Sequence, residues 1–573
     1  MALVHVSATG TRTTGTSTAD DWSDANCYPT VSDSAAGWSG ATTVILNDET
    51  ITETSAISSV NLQACTSLTI ESRSGVRADC IWTMNSATEQ LINSAPASGC
   101  TTVTIQNLSI TRSVDMSSSA TNALVYFAGT FLTSVTLSNV IIGDFDVNGY
   151  EDADGVLFRC ASTVSRTVNL TDVLVRNVNS AGSGFNAPMF DLTGASHTYN
   201  LTRVQFENLT QTRISDSIWA YGIKYGGANT YNLADIEVTD ATLSHGTSSE
   251  EIKPFMYAGN TTSTLNIDGM TFTRVVMGSS SATVKSNGWG VHLRCAYSLR
   301  NYHSVDCYLW WTTAAQGSQL DGGGLYISQS EAVQSAPVEN VSATRCMSRS
   351  GACIFISNGA GGRFWNIRAY DCETEAGVIY NGHGGTTYEL SGFLVDGVTK
   401  ADHALYVNDG IGVWSRLNTD EDKTSTIANG TVINCVSAGS AIGFDNTSDL
   451  NALTVNVYSV ISINPDCAED IQEKATGSGG ITVTTYDCIV GSSGTDSTTD
   501  NDLTTIADDD LSDVLTDVVN DDYSPVAAYQ TGGQKWWGEV PRPRGADGEP
   551  FPDFGISIGA VQSKAAPFHP ANM

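Results

Sequence analysis

A short phrase returns six times between Thr101 and Gly278, and it constrains the chain more than any other feature. It reads Val103-Thr-Ile105-Gln-Asn-Leu108, then Val135-Thr-Leu137-Ser-Asn-Val140, then Val168-Asn-Leu170-Thr-Asp-Val173, and continues at Tyr199, Tyr231 and Leu265. The starts lie 32, 33, 31, 32 and 34 residues apart. Self-similarity at a fixed period marks a solenoid, whose repeats bury their apolar faces only against one another. A second phrase, an apolar run closing on an aromatic residue, keeps the same beat out of phase at Tyr126, Phe158, Phe190, Tyr221 and Tyr257 and returns at Tyr326, Phe355, Tyr380 and Tyr406. Each repeat therefore holds at least two period-2 strands broken at Asn, Asp or Gly, with no room for a long helix. The expectation is an all-β chain coiled as a parallel β-helix.

In such a coil, equivalent residues of successive turns lie about 4.8 Å apart, so like stacks on like. The nine aromatics from Tyr126 to Tyr406 are predicted to form one ladder packed in the core or wall, with a ligand-stacking platform as the alternative. Length adds no demand for several globular cores, because a solenoid of 573 residues grows along one axis. The formal charge of −34 argues against nucleic acid and anionic membrane as partners. No stretch approaches the apolar length of a membrane helix. The start Met1-Ala-Leu-Val-His-Val carries no signal-peptide pattern, so the chain is expected to be made in a cytoplasm. The thirteen cysteines fit that compartment as buried thiols: Cys346, Cys372 and Cys435 each follow a polar turn residue, where other repeats carry Phe145, Val178, Leu209 and Val275.

Residues 1–60 are read as an N-terminal cap, 61–495 as the β-helix, and 496–573 as a C-terminal capping and oligomerisation segment. The opening run Val6-Ser-Ala-Thr-Gly10, Gly15-Thr-Ser, Trp22, Ala25 and Thr43-Val-Ile-Leu46 resembles the start of the right-handed parallel β-helix (pectin-lyase-like) superfamily. Ser524-Pro525, Pro541-Arg-Pro-Arg544, Asp547-Gly548 and Ile558-Gly559-Ala560 resemble its closing segment, with the Arg-Pro and Asp-Gly pieces in reversed order. The resemblance implies a single-stranded right-handed coil, and the superfamily holds polysaccharide lyases, glycoside hydrolases, adhesins and bacteriophage tailspikes.

Between Gly278 and Gly494 the beat shortens, Asn340, Asn366 and Gly392 standing 26 residues apart. Residues 496–522 hold ten Asp and no Lys or Arg; within them Leu511, Val514, Leu515 and Val518 have helical spacing behind Asp510, which predicts a short capped amphipathic helix. Trp310-Trp311 and Trp536-Trp537 find no evident inward slot and are the candidate binding residues, for a partner subunit above all.

The sharpest motif is Asp144-Phe-Asp146-Val-Asn148-Gly149, which resembles the first half of a calcium loop. The bidentate Glu is absent, so Glu151, Asp152 or Asp154 has to complete the shell, with Asp152 taken as the fourth ligand, and a solvated acidic loop is the alternative. Candidate catalytic carboxyls are Asp371 and Asp396, on turns of neighbouring 26-residue repeats beside Glu373, Glu375, Asp402 and His403. The same turn column is read as carrying Arg112, Asp144, Asn177, Asn208, Asp240, Arg274, Arg345 and Asn434 elsewhere, which favours a structural turn ladder. The sequence thus points to a structural or adhesive virion protein resembling a bacteriophage tailspike, fibre or capsid decoration. It is expected to be a homotrimer that serves host attachment through surface polysaccharide or contacts other virion proteins. The alternative is a polysaccharide depolymerase of hydrolase or lyase type.

Overall fold

The computed structural model describes all residues except 95, 97, 118–122, 149–155, 161–163, 181–186, 195, 214–220, 246–250, 259–261, 280–284, 287, 312–321, 329–333, 335, 358–361, 383–386, 401–410, 418–421, 493, 497–498, 502, 507–509, 521, 530–558 and 560–573. The fold is a parallel β-solenoid. The chain divides into two compact units, Met1–Lys285 and Ser286–Met573.

In the first unit the recurring phrases stack in the register that the repeat predicts. Strands Thr102–Arg112, Ser134–Asn148, Thr167–Ser180, Thr198–Arg213, Thr230–His245 and Thr264–Thr273 pair in parallel. Val103, Val135, Val168, Tyr199, Tyr231 and Leu265 fall in one buried column. The long strands bend twice. Asn139 and Asp144, Asp172 and Asn177, and Asp235 and Asp240 adopt positive φ five residues apart within their coils. Left-handed backbone is tolerated best by Asn and Asp, so those residue types mark the bends. Parallel pairing begins at Ala2–Val6, which pairs with Gly40–Leu46 inside the segment assigned to the cap. Buried Glu53 ties the cap helix Val31–Ser34 to the coil, accepting hydrogen bonds from Val31 N (2.6 Å) and Trp82 Nε1 (3.1 Å).

The second unit repeats the plan with shorter coils. Val338–Thr344, Gly362–Tyr370, Thr387–Asp396 and Lys423–Ile433 pair in parallel, with Val341, Ile367 and Phe393 in one column at the predicted 26-residue step. A side sheet runs through Val291–Leu293, Leu325–Ser328, Ile354–Ser357, Ile379–Gly382, Val413–Leu417 and Ser440–Asn446. All thirteen cysteines are buried, and burial pushes the Cys353, Cys372 and Cys435 thiols well above their usual range.

The register corrects two expectations from the sequence. The nine aromatics do not form one ladder. Phe158 pairs with Val125 and Phe190 with Phe158, and both face inward, whereas Tyr126 and Tyr257 share an outward column with Arg159, Asp191 and Lys224. A period-2 strand reverses its side chains with a slip of one residue, and the aromatic residue drifts by one between repeats. The amphipathic helix after Asp510 is also absent. Asp510 does cap, accepting from Ser512 N, but it caps a 3-10 turn, Leu511–Asp513, and strands Leu515–Asp517 and Asp522–Pro525 follow as an antiparallel pair.

Candidate functional site

The densest arrangement of unusual side chains lies on the outward side of the second unit's side sheet. Along Val291–Leu293 and the strands that stack on it, the flanking residues Leu325, Ile354, Ile379 and Val413 point inward. The intervening positions are His292, Tyr326, Phe355, Tyr380 and Trp414. Their rings stack: Tyr326 and Phe355 lie 5.0 Å apart at 13°, Phe355 and Tyr380 4.7 Å apart at 3°. His292 meets Tyr326 edge-on at 4.4 Å. This part of the predicted ladder exists, although Tyr406 lies outside the described residues. Glycines make room for it. Gly351 has φ +63° and a Cβ there would stand 2.6 Å from the Phe355 Cβ; Gly377 has φ +43° and a Cβ there would stand 2.7 Å from that of Trp414. Phe355, Tyr380 and Trp414 are buried, so the stack serves as packing rather than as an open platform.

One strand away, outward-facing Arg349 and Glu375 form an ion pair at 3.2 Å with side chains 3% and 1% exposed. A sequence signal for this pair does exist: Arg349 and Glu375 stand 26 residues apart, one coil, at the same distance after Arg345 and Asp371. Glu373 shares the outward side of the strand Glu373–Ala376 with Glu375.

Asp371 and Asp396 are not equivalent. The register sets Tyr370 opposite Asp396, and Asp371 therefore meets Gly397, whose φ of +68° continues the left-handed column. Asp371 is an exposed member of that turn ladder. Asp396 faces outward one position earlier, and both its oxygens are engaged: Asn434 Nδ2 donates to Oδ1 (2.7 Å) and the Tyr523 hydroxyl to Oδ2 (2.6 Å). Tyr523 belongs to the C-terminal strand pair, which buries Val514 and Leu515 against the outward residues Leu394, Ile433, Ile461, Ile463 and Ile489. Asp396 thus anchors the chain's return over its own coil. The ladder reading of the turn column is supported at other levels too. Arg274 grips Asp240 at 2.5 and 2.8 Å, and Arg345 grips Asp306 at 2.6 and 2.9 Å, each from the neighbouring coil.

Asp144, Asp146 and Asn148 occupy the end of strand Ser134–Asn148, with Asp144 at its left-handed second bend. Asp144 is held by Arg176 (2.8 Å) and by Asn177 (2.6 Å) of the next coil. Among the described residues no group of three His, Cys, Asp or Glu side chains gathers around a metal position. Asp152, Asp402, His403, Trp536 and Trp537 lie outside the described residues, as do the side chains of Trp310 and Trp311.

One buried carboxyl has no counterpart among the motifs of the sequence. Asp470, fully buried, accepts from Asn464 Nδ2 (3.0 Å), Ser462 Oγ (3.3 Å) and Gly491 N (2.9 Å). Burial, only partly offset by those bonds, raises its pKa from 3.8 to about 6. The native state therefore holds this proton where the unfolded chain has released it, and stability falls as pH rises from about 4 to 6 and stays level above. A rise of that size corresponds to on the order of 3 kcal/mol. Urea unfolding across that window is expected to show this limb in the parent and to lose it in Asp470→Asn. An unchanged slope in the variant would assign the limb to other groups.

Among the described residues no helix is long and apolar enough to cross a membrane. The arrangement offers packed aromatic rings, paired charges and anchored carboxyls. Comparison with protein-family models and with curated proteins finds no match for this chain, so the functional reading rests on these residues alone.

Proposed function

We propose that the chain is a structural, adhesive protein of a bacteriophage particle, of the tailspike, fibre or capsid-decoration type, that works as a homotrimer and contacts host surface glycan or other virion proteins. The observation that carries this reading is the use of Asp396: a candidate catalytic carboxyl is spent on anchoring the C-terminal strand pair, as expected of a chain built for rigidity. The Arg–Asp and Asn ladders, which fasten coil to coil, support the same reading. The second reading, a polysaccharide depolymerase, draws on Glu373 and Glu375, outward on one strand.

The test uses capsule and lipopolysaccharide preparations from a panel of bacteria. Retention of a glycan with no release of reducing or unsaturated ends is expected, and Tyr523→Phe and Asp396→Asn are expected to lower the melting temperature without altering retention. Turnover that survives Asp396→Asn and disappears in Glu373→Gln would replace the adhesive reading with the enzymatic one.

A further inference from the structure

The proposed assembly needs a face on which two copies of a chain bearing a formal charge of −34 can meet. We infer that this face is the outward side of the first part of the long strands in the first unit, and that its occupant is a second copy of this chain lying parallel. The inference rests on the homotrimer reading above and deepens it.

Register places three outward columns side by side over seven coils. The first is Ser or Thr at every level from Ser67 to Thr264; the second is Thr at 69, 104 and 136 and Asn at 169, 200, 232 and 266. The third is uncharged from Gln106 to Ala234 and ends in Glu71 and Asp268. Across five consecutive coils, 15 outward positions carry no charge at all, in a chain with 61 acidic residues. Like charges on neighbouring copies repel over about 8–10 Å at ordinary salt, so a neutral strip with charge only at its margins is where close approach is least opposed. Three columns of seven give 21 residues, which in a threefold assembly are shared between two neighbours.

The strip is ordered in advance. Asn200 donates to Asn169 (2.9 Å), Asn232 to Asn200 (2.8 Å) and Asn266 to Asn232 (2.9 Å), so the amides are already fixed and little side-chain entropy remains to be lost on contact. An amide has two donor hydrogens and two acceptor lone pairs, and for Asn200 and Asn232 the ladder uses one of each. Parallel copies present identical columns at identical heights. Rotation about an axis along the coils therefore brings hydroxyls and amides of one copy level with those of the next, and closes the assembly.

The experiment measures mass by sedimentation equilibrium at micromolar concentration for the full chain, Thr198→Glu and Thr482→Glu. Thr198 is central in the strip; Thr482 is an exposed strand residue of the second unit. The parent and Thr482→Glu are expected near three times 60.5 kDa, and Thr198→Glu at about 60.5 kDa with an unchanged β-type circular dichroism spectrum. Asn200→Gln, which keeps the strip neutral, is expected to remain assembled. A Thr198→Glu protein as large as the parent overturns the face and leaves the trimer standing; a parent at single-chain mass overturns both. If Thr198→Glu keeps the parent's mass but loses glycan retention, the strip is a ligand face and the inference is wrong.

Discussion

Phe355→Ala is expected to destabilise the second unit by about 3–5 kcal/mol, the usual cost of deleting a buried ring from a core. Phe355 is 5% exposed and stacked on both faces, by Tyr326 at 5.0 Å and Tyr380 at 4.7 Å. Removing it leaves a gap that neighbouring coils cannot close, because their strands are pinned by hydrogen bonds above and below. Phe355→Leu retains most of the apolar volume and is expected to recover about half of the loss. Gly351→Ala should hurt the same stack from beneath. A left-handed φ of +63° costs an L-residue roughly 1–2 kcal/mol, and the new Cβ would also meet Ile354 O at 2.7 Å. Chemical denaturation monitored at the aromatic near-ultraviolet bands checks both variants. A Phe355→Ala protein within about 1 kcal/mol of the parent would mean that the rings lie on the surface and that an open, ligand-stacking column is the better description.

Glu375→Gln is expected to cost a similarly large amount, about 3–5 kcal/mol, by removing the carboxylate that faces the buried Arg349 guanidinium. The double variant Arg349→Met/Glu375→Leu removes both charges and is expected to return to within about 1–2 kcal/mol of the parent, since desolvation of the pair offsets most of its attraction. A double-mutant cycle separates this structural role from a catalytic one. If Glu375 serves hydrolysis, any turnover stays lost in the double variant while stability returns. If Glu375→Gln is as stable as the parent, the pair is solvated and the buried position assigned to it is wrong.

Much of the architecture was legible in order along the chain. The 31–34-residue beat determined parallel stacking, because a repeat too short for its own core has to bury its strands against copies of itself, and the columns at Val103, Val135 and Val168 follow directly. Asn and Asp at most of the bends were legible for the same reason, because a left-handed turn favours those residue types, although Arg203, Arg274 and Arg345 take the same turn on other coils. The cysteine column after the second bend could be read because inward positions keep their apolar character from coil to coil.

What the tertiary structure alone decided is register to a single residue and everything that comes from far along the chain. A one-residue slip reverses a side chain, so a recurring aromatic could be placed on a strand but not on a face; Phe158 went in and Tyr126 went out. The helical spacing after Asp510 was a local preference, overridden when Val514 and Leu515 found an apolar sheet face to cover as extended chain. Asp396 shows the limit most plainly. Its neighbours in sequence marked it as a member of the turn ladder with catalysis as the alternative, and only the arrival of Tyr523, 127 residues later, determines that it is an anchor.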